Sequence, residues 1–423
     1  MKKYSSYKDS GIKWLGNIPS HWEVKRLKTA LKERKEQFSN EPLIILSLMK
    51  DTGVIPYDEK GDIGNKSKTD ISQYKIARKG DLVVNSMNVI IGSVGISKYD
   101  GYISPAYYAF IPKDDICLSY YNYLLSLRAV QQSIRCYSKG IMEIRLRISS
   151  NDFLSMPFPF PPLDEQKAIV TYLNSATSKI DKAIAQQQQM IDLLNERKQI
   201  IINQAVTKGL NSNVKMKDSE NPWIGEMPGH WNRCQLKRKA KIILGKMLSN
   251  KTTNQYDYIC AKNVQYDGLD ISDLKKMYFS EQEKEIFRVK QGDMLLAEGG
   301  TGGCAIFNYD RENVFIQNSV MIIRCNGDLL NDYLCLFVQA ISKKGYIDFA
   351  CNKVTIPHFT KEKVGAVVVP IPQLNEQIEI IKYVEQLVNA INTASEFAKK
   401  RISLLQERKQ IIINEAVTGK IKI

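Results

Sequence analysis

Two stretches carry residue types from which a metal or phosphate site is built. Asp164-Glu165-Gln166-Lys167 contains the acidic-x-Lys fragment that nucleases place around a metal ion. The same pattern 211 positions on reads Asn375-Glu376-Gln377-Ile378. It has lost both the Asp and the Lys, so a helix start accounts for both copies better than a metal site does. Glu298-Gly299-Gly300-Thr301-Gly302-Gly303 has the glycines that let backbone N–H groups cradle a phosphate. Its counterpart across Asn85–Gly95 is less Gly-rich, so a loop facing a polyanion fits better than a nucleotide cradle. Two further loops combine cations with small polar side chains, the mixture that positions phosphates and touches base edges. One carries Lys139, Gly140, Arg145 and Arg147; the other carries Asn352, Lys353, Thr355, His358, Lys361 and Lys363. Ser86, Asn88, Lys246, Lys262 and Asn263 are secondary candidates on neighbouring loops. The plainer alternative for all of them is a solvated basic strand edge.

Catalytic signatures are absent from the sequence. No GxxxxGK[ST] marks a P-loop, and no GxGxxG marks a dinucleotide or S-adenosylmethionine fold. The eight cysteines form no CxxC pair and no His-flanked cluster, so neither a zinc site nor a disulfide framework is expected. Free thiols, no apolar run long enough for a bilayer and no secretory h-region together predict a cytoplasmic protein with no membrane partner. The formal net charge is +15, most of it within residues 1–155 and 211–370. That bias favours nucleic acid as the partner.

The elements that position these residues come in duplicate. LLNERKQIIINQAVT at Leu193–Thr207 returns as LLQERKQIIINEAVT at Leu404–Thr418, with 13 of 15 residues identical at a shift of 211. The chain opens with KDSGIKWLGNIPSHW and opens again with KDSENPWIGEMPGHW, a pattern holding all four tryptophans. W-x-G-x-x-P-x-H-W reads as a turn pinned by two large buried rings, with His21 and His230 packed or capping, not catalytic. Residues 23–155 read as short strands between Gly, Asp, Asn and Pro clusters, with one helix at Ser119–Tyr137. The second half repeats this at low identity. Gly80-Asp81-Leu82 is echoed by Gly292-Asp293-Met294, and Tyr123-Leu124 by Tyr333-Leu334.

After each lobe comes a Pro-rich lead-in, PFPFPPLDEQ or VPIPQLNEQ, with Asp164 or Asn375 placed to cap a long helix. Leu173, Ala176, Ile180, Ala183, Gln187, Met190, Leu194 and Ile201 follow 3–4 spacing. So do Val384, Leu387, Ile391, Ala394, Ala398, Arg401, Leu405 and Ile412. Each helix spans about 40 residues, roughly 60 Å, and neither stripe is buried alone, so the two are expected to pack together. Duplication makes an antiparallel pair about a pseudo-twofold axis the simplest arrangement. The expected fold class is α+β: two mixed α/β lobes joined by two long helices in an antiparallel coiled coil. The expected boundaries are 1–158, 159–210, 211–369 and 370–423.

These residues, in this order, resemble the DNA specificity subunit of Type I restriction–modification systems. The carriers are Trp14-Leu15-Gly16-x-x-Pro19-x-His21-Trp22 and its copy, Pro161–Gln166 with Pro372–Gln377, and the twin ERKQIII helices. The resemblance implies two target recognition domains, each reading one half of a bipartite, asymmetric site in double-stranded DNA. The helix pair would set the unspecified spacer. Two modification subunits would bring S-adenosylmethionine and adenine methylation, and restriction subunits would bring ATP, Mg2+ and cleavage, leaving this chain without a cofactor or catalytic residue. A fused restriction–modification enzyme would need an NPPY-type motif, and none is present. A coiled-coil protein adaptor with non-specific DNA affinity is the competing reading.

Overall fold

A computed structural model describes the chain except residues 1, 40, 50–51, 62–69, 88–90, 139–145, 250, 252, 267, 300–302 and 352–357. The chain divides into two compact units, Met1–Gln187 with Lys400–Ile423, and Gln188–Lys399. This division differs from the expected four parts, because each long helix is shared between the units.

In the first unit an antiparallel sheet runs in the order Leu31–Glu33, Tyr107–Pro112, Leu82–Asn85, Val94–Ile96. A second sheet runs Gly53–Pro56, Ile44–Met49, Gly101–Ile103, Lys75–Ala77, and its Gly101–Ile103 strand lies parallel to Ile44–Met49. Leu82, Val84, Phe110 and the first helix bury one face together. Val83 and Ala109 alternate to the other face, where Leu48 of the second sheet joins their cluster, as period-2 side-chain direction requires. The second unit repeats the plan. Ala240–Leu244, Val320–Cys325, Met294–Ala297 and Cys304–Ile306 form the antiparallel sheet. Lys275–Tyr278, Gln255–Ile259 and Phe315–Ile316 form the second, with Phe315–Ile316 parallel to Gln255–Ile259.

The helix expected at Ser119–Tyr137 is broken into Leu118–Leu125 and Arg128–Ile134. Leu127 adopts an extended backbone between them, and Gln131 Nε2 donates to the Ser126 carbonyl at 3.0 Å. The helix echo also shifts. Tyr120, not Tyr123, is the counterpart of Tyr333: their hydroxyls donate to the Val417 and Val206 carbonyls at 2.7 and 2.9 Å.

The Pro-rich lead-ins are strands before they are helix entrances. Pro157–Phe160 pairs with Glu23–Arg26, and Val368–Ile371 with Asn232–Gln235. Proline is tolerated there because each sheet has only two strands, so a missing N–H can face outward. The long helices cover Leu163–Lys208 and Leu374–Val417. Asp164 and Asn375 therefore sit inside the first turn and are not caps.

The two long helices pack together, and inside each unit they run antiparallel. Lys409 Nζ meets Asp181 Oδ1 at 2.7 Å in the first unit, and Lys198 Nζ meets Asn392 Oδ1 at 3.4 Å in the second. Lys198 and Lys409 are repeat equivalents, as are Asp181 and Asn392, so one contact is the pseudo-symmetric image of the other. The seam follows the expected stripe at Leu173, Ile180, Val384, Ile391 and Ala398. It departs by one residue elsewhere. Ile191 is buried where Met190 was expected and Met190 is 51% exposed, while Ile202, Ser395 and Ile413 are buried in place of Ile201, Ala394 and Ile412. Arg401 is exposed. A 3.5-residue seam drifts against a 3.6 pattern read by eye, and a run with apolar residues on both sides leaves the choice open.

Candidate nucleic-acid interface

The tryptophan motif is the anchor that fixes each lobe. Trp22 and Trp231 are fully buried, and an indole N–H that is buried needs an acceptor. Trp22 Nε1 donates to Glu165 Oε2 at 2.9 Å, with His21 Nε2 2.6 Å from Oε1 and the Tyr4 hydroxyl 2.9 Å from Oε2. Trp231 and His230 repeat this on Glu376 at 2.9 and 3.1 Å. Burial works to raise the Glu165 carboxyl, but the hydrogen bonds from Trp22, His21 and Tyr4 outweigh it and hold it below the ordinary carboxylate range.

The next residue completes the joint. Gln166 accepts from the Cys117 N–H at 3.0 Å and donates to the Pro161 carbonyl at 2.9 Å. Gln377 accepts from Leu330 N–H at 2.9 Å and donates to Asp328 and Pro372 carbonyls at 2.6 and 2.9 Å. The far end of the other long helix closes on the same tryptophan. A Cβ on Gly419 (φ +73°) would lie 2.5 Å from Pro19 Cδ, and one on Gly209 (φ +71°) would lie 3.1 Å from Trp231 Cζ2. These glycines end their helices in the left-handed conformation that only glycine adopts cheaply. The acidic-x-Lys fragment is thus the acceptor of a structural joint, and Lys167 is an exposed residue beside it.

At one end of each lobe the strand ends and loops converge by matching backbone bonds. Ile148 N–H donates to Ser86 O at 3.1 Å, and Ser86 N–H to Ala106 O at 3.1 Å. In the second lobe Phe359 N–H donates to Glu298 O at 2.7 Å, and Glu298 N–H to Ser319 O at 2.9 Å. Arg147 and His358, from the two expected basic stretches, stand at this convergence in their respective lobes, because Arg147 precedes Ile148 and His358 precedes Phe359. Behind it, Asp81 and Asp293 stiffen the first turn of the strand that leads there. Each accepts from a guanidinium, Arg34 at 2.6 and 3.0 Å and Arg324 at 2.7 Å twice, and from the N–H three residues earlier.

Of the expected contacts, Arg147, Lys262, His358 and Lys361 are exposed or nearly so. Lys262 lies 3.5 Å from Asp273. Lys139, Gly140, Arg145, Asn88, Asn352, Lys353 and Thr355 lie outside the described residues. Three of the expected contacts are engaged within the fold. Ser86 is buried and serves through its backbone. Asn263 is buried, its side chain bonded to Cys260 N–H and the Asp270 carbonyl. Lys246 is clamped by Glu283 at 2.6 Å and the Tyr278 carbonyl at 2.8 Å, over the Tyr278 ring. A cation already paired and half desolvated has little left to offer a phosphate. Lys363 likewise donates to the His358 carbonyl at 3.1 Å.

Residues not singled out by sequence stand at the same end. Gln317, Asn318 and Ser319 are half-exposed and hydrogen-bonded to one another in the turn between two buried strands. Met247 and Leu248, the residues after Lys246, are 74% and 65% exposed. A polar trio cut into the otherwise apolar run from Val314 to Ile323 was the available signal.

The family model for the Type I restriction modification DNA specificity domain matches the chain twice, over residues 19–191 and 228–401. The Type I restriction enzyme MjaVIII specificity subunit of Methanocaldococcus jannaschii is 25% identical, covering 99% of this chain and 97% of the relative. The EcoKI specificity subunit of Escherichia coli is 22% identical over 69% of this chain and 63% of its own. Among solved structures, a chain from a type I R-M system complex superposes with a TM-score of 0.73 at 14% identity, covering 96% of this chain and 99% of that one. The HsdS subunit from Thermoanaerobacter tengcongensis gives 0.55 at 14% identity, covering 98% and 100%. These two likenesses speak to the fold.

Proposed function

The chain belongs to the Type I restriction–modification DNA specificity family, and from that premise we propose that it is the sequence-reading, non-catalytic subunit of such a complex. One observation carries the finer reading. The joints that hold the lobes repeat in their Trp, His, Glu and Gln, whereas the converging loops differ: Ser86-Met87 and Ser104-Pro105-Ala106 in the first lobe correspond to Glu298-Gly299 and Gln317-Asn318-Ser319 in the second. Matching mounts with different reading surfaces suit a bipartite, asymmetric site in double-stranded DNA. Each lobe takes one half-site, and the long helices set the unspecified spacer.

Arg147 in the first lobe, and Lys262, His358 and Lys361 in the second, contact phosphate or base edges, together with Lys139, Gly140, Arg145, Asn88, Asn352, Lys353 and Thr355. Lys246, Asn263 and Ser86 hold the loops in place. Two modification subunits dock on the long helices. Exposed apolar pairs in each unit support this: Leu404 and Ile411 stand seven residues apart at 57% and 48% exposure in the first, and Leu193 and Ile200 repeat them at 56% and 47% in the second. S-adenosylmethionine belongs to those partners, and ATP and Mg2+ to restriction subunits, all in the cytoplasm.

The test is adenine methylation of host DNA, read by long-read sequencing with the chain and its modification partner present or deleted. A bipartite motif that vanishes with this chain is the expected result. Unchanged methylation with an active, assembled partner overturns the reading and favours a protein adaptor.

A further inference from the structure

Cys304 and Cys335 are a pair of thiols for which sequence recognition has no use. Cys304 opens the strand Cys304–Ile306 at the foot of the loop that begins at Glu298, and Cys335 lies in the second turn of the helix Asn331–Lys343. Their sulfurs are 3.7 Å apart, and Cys304 also donates to the Cys335 carbonyl at 3.6 Å. A disulfide needs about 2.05 Å, so a side-chain rotation and a closure of under two ångströms joins them. Gln339 holds the pair in place, its Nε2 3.2 Å from the Cys304 carbonyl and 3.7 Å from the Cys335 sulfur. Cys335, Gln339, Leu336, Ala305 and Tyr266 line a groove of about 970 Å³, so of the two cysteines it is Cys335 that borders open space. The first lobe has Val94 and Asn122 at the matching positions of its sheet and helix, so the pair is not part of the duplicated framework.

We propose that Cys304 and Cys335 are an oxidative modification site, closing to a disulfide within the second lobe when a hydroperoxide reaches Cys335 through the groove. The Cys335 sulfur attacks the peroxide, the O–O bond breaks, one water leaves and a sulfenic acid remains. The Cys304 sulfur then attacks that sulfur, the S–S bond forms, the S–O bond breaks, and hydroxide departs with the Cys304 proton as a second water. Two thiols lose two electrons, and one hydrogen peroxide becomes two waters. Cys335 borders the groove and Cys304 does not, so the geometry gives Cys335 the first step and Cys304 the second; contact with Cys335 and burial push the Cys304 thiol up. Once closed, the strand behind the Glu298–Gly303 loop is tied to the helix whose Tyr333 grips Val206. The site goes beyond DNA reading and does not rest on it.

The test uses the full chain, folded, treated with hydrogen peroxide, quenched with N-ethylmaleimide and digested without reductant for mass spectrometry. Expected are a cross-linked Cys304–Cys335 peptide, loss of the N-ethylmaleimide adducts of these two cysteines, and reversal by dithiothreitol. In Cys304→Ser, Cys335 should stop at a sulfenic acid that dimedone traps. Recovery of both thiols unmodified while the exposed Cys136 is oxidised would overturn the site. Oxidation of Cys304 in Cys335→Ser at the parent rate would overturn the order of attack.

Discussion

Gln377→Leu tests the joint that mounts the second lobe on its helix. The residue is fully buried, and its amide satisfies one N–H and two carbonyls. Leucine fills nearly the same volume but takes this partner from the Leu330 N–H and the Asp328 and Pro372 carbonyls, of which the bond to Pro372 is buried and the other two part-buried. At about 1 kcal/mol per net bond, less some regained apolar burial, the loss is about 2–3 kcal/mol. For a unit of this size that corresponds to roughly 5–10 °C in the melting midpoint. Gln166→Leu removes two bonds instead of three, so it should cost about two-thirds as much. Differential scanning calorimetry of the full chain reads both. Gln377→Glu adds a pH arm: a carboxylate can still accept from Leu330 N–H but faces two carbonyls, so its folded pKa lies above the ordinary value. Its deficit is therefore largest at neutral pH and shrinks as pH falls and the carboxyl regains a proton to donate. If both leucine variants melt within about 1 °C of the parent, the amide network contributes nothing and the argument for the joint fails.

Acid should act through Glu165. Its folded pKa is depressed, so its stabilisation is present above the unfolded value near pH 4 and is lost as pH falls through the folded one; Glu165→Gln should flatten that part of the stability curve, measured by denaturant titration. The corrected seam predicts that Ile191→Asn costs about 2–4 kcal/mol while Met190→Asn stays within about 0.5 kcal/mol, read by urea unfolding. The reverse order would restore the uncorrected stripe. Arg147→Ala and Lys361→Ala should each weaken DNA binding by the assembled complex and lower the slope of log K against log salt by about one. An unchanged slope removes that residue from the phosphate contacts. Gly419→Ala should destabilise the first unit far more than Gly11→Ala, because both have φ near +70° but only Gly419 faces another side chain; matched melting curves would show that the close approach is irrelevant.

Much of this molecule was written in its repeats. Thirteen identities in fifteen residues meant two equivalent long helices before any coordinate was known, because a duplicated apolar stripe must find a partner to be buried. The W-x-G-x-x-P-x-H-W motif likewise announced a structural anchor, but of the two rings expected to be buried in each copy only Trp22 and Trp231 are, while Trp14 and Trp223 are half-buried. What the anchor holds was not legible. Glu165 and Glu376 read as residues of a helix start, and only the fold brings each within 2.9 Å of a tryptophan N–H more than 140 positions away in sequence. The same limit governed the loops. Ser86, Lys246 and Asn263 have the side chains of a DNA contact, but hydrogen-bond partners distant in sequence consume Lys246, and burial removes the other two. Local sequence determines what a residue is able to do and, through periodicity, which elements exist. Whether a polar group is free to meet a ligand depends on partners supplied by remote segments, and that the tertiary structure alone decided.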